Sequence, residues 1–386
     1  MTLSAAARGS LELHRVSTLD SVEPGQWNDL SGAASFYLSH AWLSHVERIS
    51  GADCTYLLVR DSSGTLLGAL PTYQVDDETN TNNYRPDRIL DGRLTGRHLL
   101  AGSCRAYDND VLLHPSLTDD EQDLVLGLLI DAAEHRATEL GCEDVLFLYL
   151  TTAAATRIRR VRPELCPLLL KLDTVLPVPG ESIDDYYTTL GARRAYSVRK
   201  DMRIFDNAGY ATAIEPLSAC WHEAGPLAAN VENRYGKGET VEEARASLKS
   251  QAHALDPNSL TFTARRDGKL VAMAVHYTWR GKLYGRLVGF DYDALDDARE
   301  YFTLYYYQPL QWAYQNGIHT IHLGTGSYTA KFRRGAQPNP LWAAALTATR
   351  AGDWRGWNTH QLTTWQDEWG LDDMGVPADW SHRPGS

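Results

Sequence analysis

The chain has 386 residues, of which 43% are hydrophobic and 22% charged, and this length suits two domains. Its formal net charge of -12 disfavours broad non-specific binding to nucleic acid, because that binding draws its affinity mainly from basic charge, but it is compatible with a local basic groove. No run reaches the roughly 18 apolar residues that cross a bilayer, and the first residues lack the apolar core of a secretory signal, so we expect a cytoplasmic protein without a membrane or DNA partner.

A weak internal repeat is the most informative pattern along the chain. Residues 56–73 hold an apolar run, a polar turn that begins at Asp61, and a second apolar run. Residues 262–277 repeat this order around Asp267. Each copy therefore predicts a β-hairpin, because a short turn containing Gly between two apolar runs is typical of one.

Each predicted hairpin is followed by a helix, a glycine and a short apolar strand. In chain order these are 124–139, Gly141 and 145–150, then 305–315, Gly317 and 320–323. Glycine suits the positive φ at a helix end, and a short apolar strand suits a buried sheet. The same order of elements, found twice, predicts a duplicated α/β unit.

The same patterns predict the domain limits. We place an N-terminal domain at 1–172, a C-terminal domain at 173–350, and an irregular tail at 351–386 that is rich in Trp, Asp, Gly and Pro. A long helix is predicted over 183–208, with Ser182 as its N-cap and Gly209 as its stop.

Three segments carry a resemblance to a known family. They are 35–43, a basic stretch at 193–209, and 324–335, which reads Gly-Thr-Gly-Ser-Tyr-Thr-Ala-Lys-Phe-Arg-Arg-Gly. Their order resembles the tandem-GNAT proteins grouped with the Fem-type aminoacyltransferases of peptidoglycan synthesis. The resemblance implies two tandem GNAT-like units, each a mixed sheet flanked by helices. It also implies an N-acyltransferase that forms an amide bond.

Two further features of the sequence bear on the expected substrate and on which unit is active. Fem proteins often carry a coiled-coil insertion in their second half, and no such heptad run occurs here, which favours the smaller relatives of bacterial specialised metabolism. The first copy has Thr-Thr-Ala-Ala-Ala at 151–155 instead of a Tyr-x-x-Lys segment, so we expect the N-terminal unit to be degenerate.

Lys331 is the leading catalytic candidate. It follows the predicted strand 320–323 and the segment Gly324, Thr325 and Gly326, where the backbone can approach a ligand closely. Strand ends are where α/β sheets bind ligands, and a lysine offers a point charge to a phosphate or a developing oxyanion. The alternative is a solvated lysine in a basic turn with Arg333 and Arg334.

The densest run of cations lies in the predicted helix after the domain boundary. Its candidate donor-binding residues are Arg193, Arg194, Tyr196, Arg199 and Lys200, to which Arg334 is added from the later basic turn. Arginine binds phosphate with two hydrogen bonds, and a tyrosine can stack on a base. The alternative is a solvated helix face balanced by Asp201 and Asp206.

Three further residues are candidates for proton transfer or orientation. Asp291 follows an apolar strand and can orient the attacking amine or cap the next helix. Tyr284 and Tyr328 can protonate a leaving group, since a phenol is an acid, although packing is the commoner role of a tyrosine.

No metal or tightly bound cofactor is predicted. The thirteen histidines form no H-x-x-x-H pattern, and the five cysteines are scattered without any C-x-x-C, as in reduced thiols. The Gly-rich loop that holds the coenzyme A pyrophosphate in ordinary GNAT enzymes is absent, and several acidic residues follow Gly289 instead. The co-substrate is therefore an aminoacyl-tRNA or an acyl-CoA, with the former slightly favoured.

The sequence thus predicts transfer of an acyl or aminoacyl group to an amine of a small molecule or peptide. Two alternatives stay open at this point: a non-catalytic GNAT-like module that binds a small ligand, and a cell-wall precursor aminoacyltransferase.

Overall fold

A computed structural model describes residues 11–31, 35–50, 53–74, 84–90, 92, 94, 96–103, 105–346, 354–372 and 374–382. The chain divides into two compact units. Unit 1 comprises Met1–Asp173 together with Asn339–Ser386, and unit 2 comprises Thr174–Pro338. The second unit therefore ends earlier than the predicted limit at residue 350, because the segment after it belongs to unit 1.

Unit 1 contains the strands of a mixed sheet, with helices that precede and follow its β-hairpin along the chain. Its strands are β1 (Glu12–Val16), β2 (Asp53–Arg60), β3 (Leu66–Gln74), β4 (His98–Ala101), β5 (Leu112–Leu113), β6 (Asp144–Leu150), the first part of β7 (Leu168–Pro177) and most of β13 (Gln337–Ala345). Its helices are α1 (Pro24–Ser31), α2 (His40–Ser50), α3 (Pro86–Ile89), α4 (Asp119–Glu139), α5 (Thr152–Val161) and α13 (Trp354–Trp369). Short 3₁₀ turns cover Leu19–Ser21, Phe36–Leu38 and Ala378–Trp380.

Unit 2 contains the end of β7 and five further strands. They are β8 (Ala211–Glu215), β9 (Ser259–Arg266), β10 (Lys269–Trp279), β11 (Lys282–Phe290) and β12 (Thr320–His322). Its helices are α6 (Ile183–Leu190), α7 (Ala192–Asn207), α8 (Leu217–Arg234), α9 (Val241–Leu255), α10 (Glu300–Phe302), α11 (Gln308–Gln315) and α12 (Tyr328–Phe332). A π-helical turn, Thr303–Tyr307, joins α10 to α11, and a 3₁₀ turn covers Asp256–Asn258.

The strands of the two units follow one topology, as the hairpin repeat predicted. In unit 1 the order is β1-β2-β3-β4-β6-β13, with only β4 and β6 parallel. In unit 2 the order is β8-β9-β10-β11-β12-β7, with only β11 and β12 parallel. The predicted fold class, two tandem GNAT-like units that each contain a mixed sheet flanked by helices, is confirmed.

Local sequence signals explain the helix-to-strand steps. Thr118 caps α4 in a capping box with Glu121, which satisfies backbone N–H groups at the helix start. Gly141 and Gly317 follow α4 and α11 with φ of 66° each, a conformation that glycine adopts without steric cost. The strands that follow are buried, so each unit places a short apolar strand next to its parallel partner.

Two predicted elements differ in the structure. The helix expected over 183–208 is two helices, α6 and α7, because Gly191 takes φ of 75° between them. The tail was expected to be irregular, but Trp354–Trp369 forms α13, whose Asn358 is fully buried and bonds Leu169 N and Pro167 O. Tertiary contacts thus stabilise a helix that the composition did not predict.

No helix in the part of the chain that the structure describes is long and apolar enough to cross a bilayer.

Candidate active site in unit 2

The two parallel strands of unit 2 diverge at their carboxyl ends. The last paired residues are Tyr284 of β11 and His322 of β12. Beyond them β11 continues to Phe290, whereas β12 has ended. The carboxyl ends of parallel strands are where α/β sheets bind ligands, so this divergence is the candidate active site.

Tyr305, in the π turn, covers the start of the divergence. Its hydroxyl donates to the carbonyl oxygen of Leu323 at 3.1 Å, and a Cβ atom at Gly285 would lie 2.5 Å from the hydroxyl oxygen. Only glycine therefore fits at residue 285. His276 packs behind Tyr305, with its Nε2 atom 3.3 Å from the Tyr305 carbonyl oxygen. Burial lowers the pKa of His276 to about 4, so the imidazole is neutral at pH 7.

Lys331 lies inside the protein, with 2% of its surface exposed, whereas the sequence suggested a residue facing a ligand or solvent. Its Nζ atom donates to three successive carbonyl oxygens, those of Leu323 at 2.6 Å, Gly324 at 2.7 Å and Thr325 at 3.2 Å. A buried ammonium needs such partners, because desolvation without them costs several kcal/mol. The alternative of a solvated lysine is therefore wrong, and the side chain fixes the backbone segment that follows β12.

Arg334 is also largely buried. Its Nε atom donates to the Tyr307 hydroxyl at 2.7 Å, and its Nη2 atom donates to Asp201 Oδ2 at 3.1 Å. The Tyr307 hydroxyl donates to the same Asp201 oxygen at 3.0 Å, and burial is the main cause that raises the pKa of Tyr307. The guanidinium carbon lies 3.3 Å from the centre of the Phe302 ring. Arg334 thus connects α7, the π turn and the segment after α12.

The inward face of α7 packs against this segment. Val198 and Phe205 are buried there. Arg194 is exposed, but its guanidinium reaches back to donate to the Leu190 carbonyl at 2.9 Å and to the Phe332 carbonyl at 3.4 Å. Arg199 lies between the two faces, with its guanidinium 4.0 Å from the centre of the Tyr187 ring. Two of the predicted donor-binding arginines, Arg194 and Arg334, therefore bind this protein's own backbone and side chains.

The opposite face of α7 carries exposed cations. At 3.6 residues per turn, four residues align on this face, which we call the α7 stripe: Arg193, Tyr196, Lys200 and Arg203. Tyr196 is 61% exposed. Among the described residues, no ion pair joins these three cations to a carboxylate, and Asp201 pairs instead with Arg334 and Arg299. The stripe therefore presents three charges and one aromatic ring to solvent.

The remaining predicted residues occupy different environments. Tyr284 is fully buried and stacks on His322 with ring centres 5.1 Å apart. Asp291 accepts from Lys269 Nζ at 2.7 Å and caps no helix, since only turns follow it until Glu300. Tyr328 is partly exposed at the start of α12 and stacks on Phe332. The structure brings Tyr328, Lys331 and the 324–326 segment together.

The sequence analysis missed several residues of this site. Tyr305 and Gly285 were not singled out, and neither was Thr174, which donates to the Gly324 carbonyl at 2.6 Å. Asp201 was considered only as a surface carboxylate that balances the cations of the helix. The run Tyr301-Phe-Thr-Leu-Tyr-Tyr-Tyr307 was the available signal, because so many phenols within one helix need buried hydrogen-bond acceptors. Among the described residues, no group of His, Cys, Asp or Glu is placed to hold a metal ion.

Comparisons with known proteins agree with this architecture. The FemAB-like family model, described as peptidoglycan biosynthesis/recognition, matches residues 118–354, more than half of the chain. No curated protein sequence matches. The crystal structure of FemX aligns with a TM-score of 0.57 and 9% identity over 86% of this chain and 97% of FemX.

Two further solved structures share the fold. The L-PGS structure from Bacillus licheniformis aligns with a TM-score of 0.52 and 12% identity, over 83% of this chain and 91% of that one. A C-terminal DUF2156 domain from Agrobacterium fabrum, from a protein named as a lysylphosphatidylglycerol synthetase, aligns with a TM-score of 0.53 and 11% identity, over 92% and 97%. The chain therefore belongs to the FemAB-like family, and its two units share the fold of these solved structures.

Proposed function

We propose that this protein transfers an aminoacyl group from an aminoacyl-tRNA to the amine of a peptide or small molecule. The observation that carries the proposal is the α7 stripe, a row of cations with one exposed tyrosine, on an otherwise acidic chain. Neutralised phosphates supply most of the affinity for nucleic acid, and an exposed ring can stack on an unpaired base. Fem-type relatives, in the resemblance described above, are aminoacyltransferases.

The reaction requires only two bound reactants. The neutral amine attacks the carbonyl carbon of the aminoacyl ester, and a C–N bond forms. The C–O bond to the terminal ribose then breaks, and the proton lost by the amine ends on the ribose oxygen. Holding the two reactants in line supplies much of the rate, and donors that bind the tetrahedral oxyanion supply more.

The predicted site residues take distinct roles in this proposal. Arg193, Tyr196 and Lys200 contact the donor, whereas Arg194, Arg199 and Arg334 hold α7 in place for it. Tyr328, which is partly exposed beside the 324–326 segment, is the candidate acid for the leaving oxygen. Tyr284 and Asp291 support the ends of β11.

The acidic stretch after β11 repels a pyrophosphate less strongly than its composition suggests. Asp291 pairs with Lys269, and Asp296 pairs with Arg266. The preference for tRNA over coenzyme A therefore rests on the α7 stripe and not on this stretch. For the acceptor, the family description favours a peptide amine of a cell-wall precursor, and a small-molecule amine of specialised metabolism stays a prediction.

The test compares two Lys→Ala variants of equal charge. Lys200→Ala removes one cation from the α7 stripe, and Lys249→Ala removes an exposed cation from α9 in the same unit. We expect Lys200→Ala to weaken binding of charged tRNA and to lower the slope of log affinity against log salt by about one, with Lys249→Ala unchanged.

Product formation gives the second readout. Mass spectrometry after incubation with charged tRNAs and candidate amines should show an amide product that ribonuclease treatment abolishes. Equal salt slopes in the two variants, or full activity with purified acyl-CoA in the absence of RNA, would reject the tRNA donor.

A further inference from the structure

The segment after β12 has its carbonyl side fully occupied. Lys331 donates to the carbonyl oxygens of three successive residues, Leu323, Gly324 and Thr325. The hydroxyl of Tyr305 also donates to the carbonyl oxygen of Leu323, and the hydroxyl of Thr174 donates to the carbonyl oxygen of Gly324 at 2.6 Å. All of these contacts come from the protein interior.

The amide side of the same peptide units is open. In a trans peptide the C=O and N–H bonds point in opposite directions, so the N–H groups of Gly324, Thr325 and Gly326 point away from Lys331. Within the described residues, none of these three N–H groups has a hydrogen-bond acceptor. The three residues are partly exposed, so a ligand can reach them. Backbone N–H groups with no internal acceptor take one from outside the chain.

We propose that the N–H groups of Gly324, Thr325 and Gly326 form an anion-binding loop, and that Lys331 is a positioning residue behind it. The ligand is an oxyanion of the reactants, either the tetrahedral oxygen of the transferred acyl group or a phosphate of the donor. This role rests on the proposed acyl transfer. It replaces the direct contact between Lys331 and substrate that the sequence suggested.

The chemistry of the loop favours an anion over a neutral group. An ammonium that binds three carbonyl oxygens polarises their peptide units, and this strengthens the N–H groups on the far side as donors. Gly324 and Gly326 hold φ of 70° and 80°, which residues with a Cβ rarely adopt. The loop is thus fixed before a ligand arrives, as an oxyanion-binding group must be.

The first experiment observes one of these amides directly. Thr–Gly occurs only at 95–96 and 325–326 in the sequence, so ¹³C-carbonyl threonine with ¹⁵N-glycine reports the Gly326 amide and the Gly96 amide alone. In a titration with inorganic phosphate, we expect the Gly326 resonance to shift in a saturable way while that of Gly96 does not move. No saturable shift at Gly326, or equal shifts at both residues, overturns the proposal.

The second experiment removes one N–H group. Thr325→Pro deletes the donor, whereas the control Thr325→Ala keeps it and removes only the side chain. We expect Thr325→Pro to lower kcat about 100-fold relative to Thr325→Ala if the loop binds the tetrahedral oxyanion. An increase confined to KM for the donor assigns the loop to a phosphate. Equal kcat and KM in the two variants overturns the proposal.

The titration decides the question on the unaltered chain, so a Thr325→Pro variant that does not fold leaves the test intact. The outcomes also separate this inference from the donor. A saturable Gly326 shift without any product from charged tRNA keeps the loop and rejects the proposed donor. Product from charged tRNA with an unresponsive Gly326 keeps the donor and rejects the loop.

Discussion

The two units differ in the hydrogen bonds made to the backbone beyond their short central strands, β6 in unit 1 and β12 in unit 2. In unit 1, Asn109 lies against the end of β6, where its N–H donates to the Tyr149 carbonyl and its own carbonyl accepts from Thr151 N. Its side chain donates to the carbonyls of Ser103 and Leu148, accepts from Ser103 N, and is 1% exposed. In unit 2, Lys331 satisfies carbonyls only, and the amides of the following loop stay accessible.

The difference lies in which backbone groups remain accessible at the end of the strand. Asn109 has both hydrogen-bond donors and acceptors, so it satisfies N–H groups and carbonyl groups of the backbone at the end of β6. A lysine side chain has only hydrogen-bond donors. It can therefore hold a loop through the backbone carbonyl groups of the loop and leave the N–H groups accessible to a ligand. This contrast supports the prediction that the N-terminal unit is degenerate and that the chemistry lies in unit 2.

The largest expected effects come from replacing Lys331 in unit 2 and Asn109 in unit 1, which tests the contrast between the units. Lys331→Met leaves the Thr325 carbonyl without its donor and removes hydrogen bonds to a charged group, and we expect it to lower the free energy of unfolding by about 4 kcal/mol. We expect Asn109→Ala, which loses three neutral hydrogen bonds, to lower it by about 3 kcal/mol. Urea denaturation measures both values.

Activity then separates the two variants. Under conditions in which both are folded, we expect kcat to fall in Lys331→Met and to be unchanged in Asn109→Ala. A loss of kcat in folded Asn109→Ala would place chemistry in unit 1 as well, and would contradict the division between the units.

Gly285→Ala tests the packing over the divergent strands. Its added Cβ atom would lie 2.5 Å from the Tyr305 hydroxyl oxygen, so the ring must move away from Leu323. We expect a loss of about 3 kcal/mol in the free energy of unfolding, as for other overpacked sites. Gly127→Ala in α4, where the nearest atom would lie 3.5 Å from the added Cβ and the backbone is helical, is the control for steric contact. Equal losses in the two variants would mean that Tyr305 does not require the glycine.

His276→Gln tests whether the buried imidazole behind Tyr305 makes the free energy of unfolding depend on pH. The folded chain lowers the pKa of His276 from 6.5 to about 4, so the unfolded chain binds the extra proton first as the pH falls. The stability from the neutral imidazole is therefore present above pH 6.5 and lost between pH 6.5 and 4. We expect the wild type to lose about 2 kcal/mol more than His276→Gln between pH 7 and pH 5. Parallel pH profiles for the two proteins would contradict the assignment.

The repeated architecture was predictable because it rests on local signals. Alternating apolar runs with polar turns, and glycines after helices, determine hairpins and helix ends within a few residues. The break at Gly191 was missed because the residues on both sides form helix readily, and only the φ of 75° separates them. The helix Trp354–Trp369 was missed because contacts with distant residues stabilise it.

The candidate site was predictable in residue type but not in orientation. The sequence identified Lys331 and the cations of α7, yet it could not distinguish Arg194, which bonds backbone carbonyls, from Arg193, which faces solvent. Adjacent helical residues lie about 100° apart, so burial depends on which face meets the sheet. That face is determined by tertiary contacts such as the one between Asp201 and Arg334.

The order in which the ribosome makes the chain gives the C-terminal segment a particular importance. Unit 2 is one continuous stretch, Thr174–Pro338, whereas unit 1 needs Asn339–Ser386 to supply most of β13 and all of α13. Because domains fold as units during synthesis, the unit that begins the chain is the last to be completed. A premature stop after Pro338 would therefore leave unit 2 whole and deprive the N-terminal unit of the strand that pairs with β6.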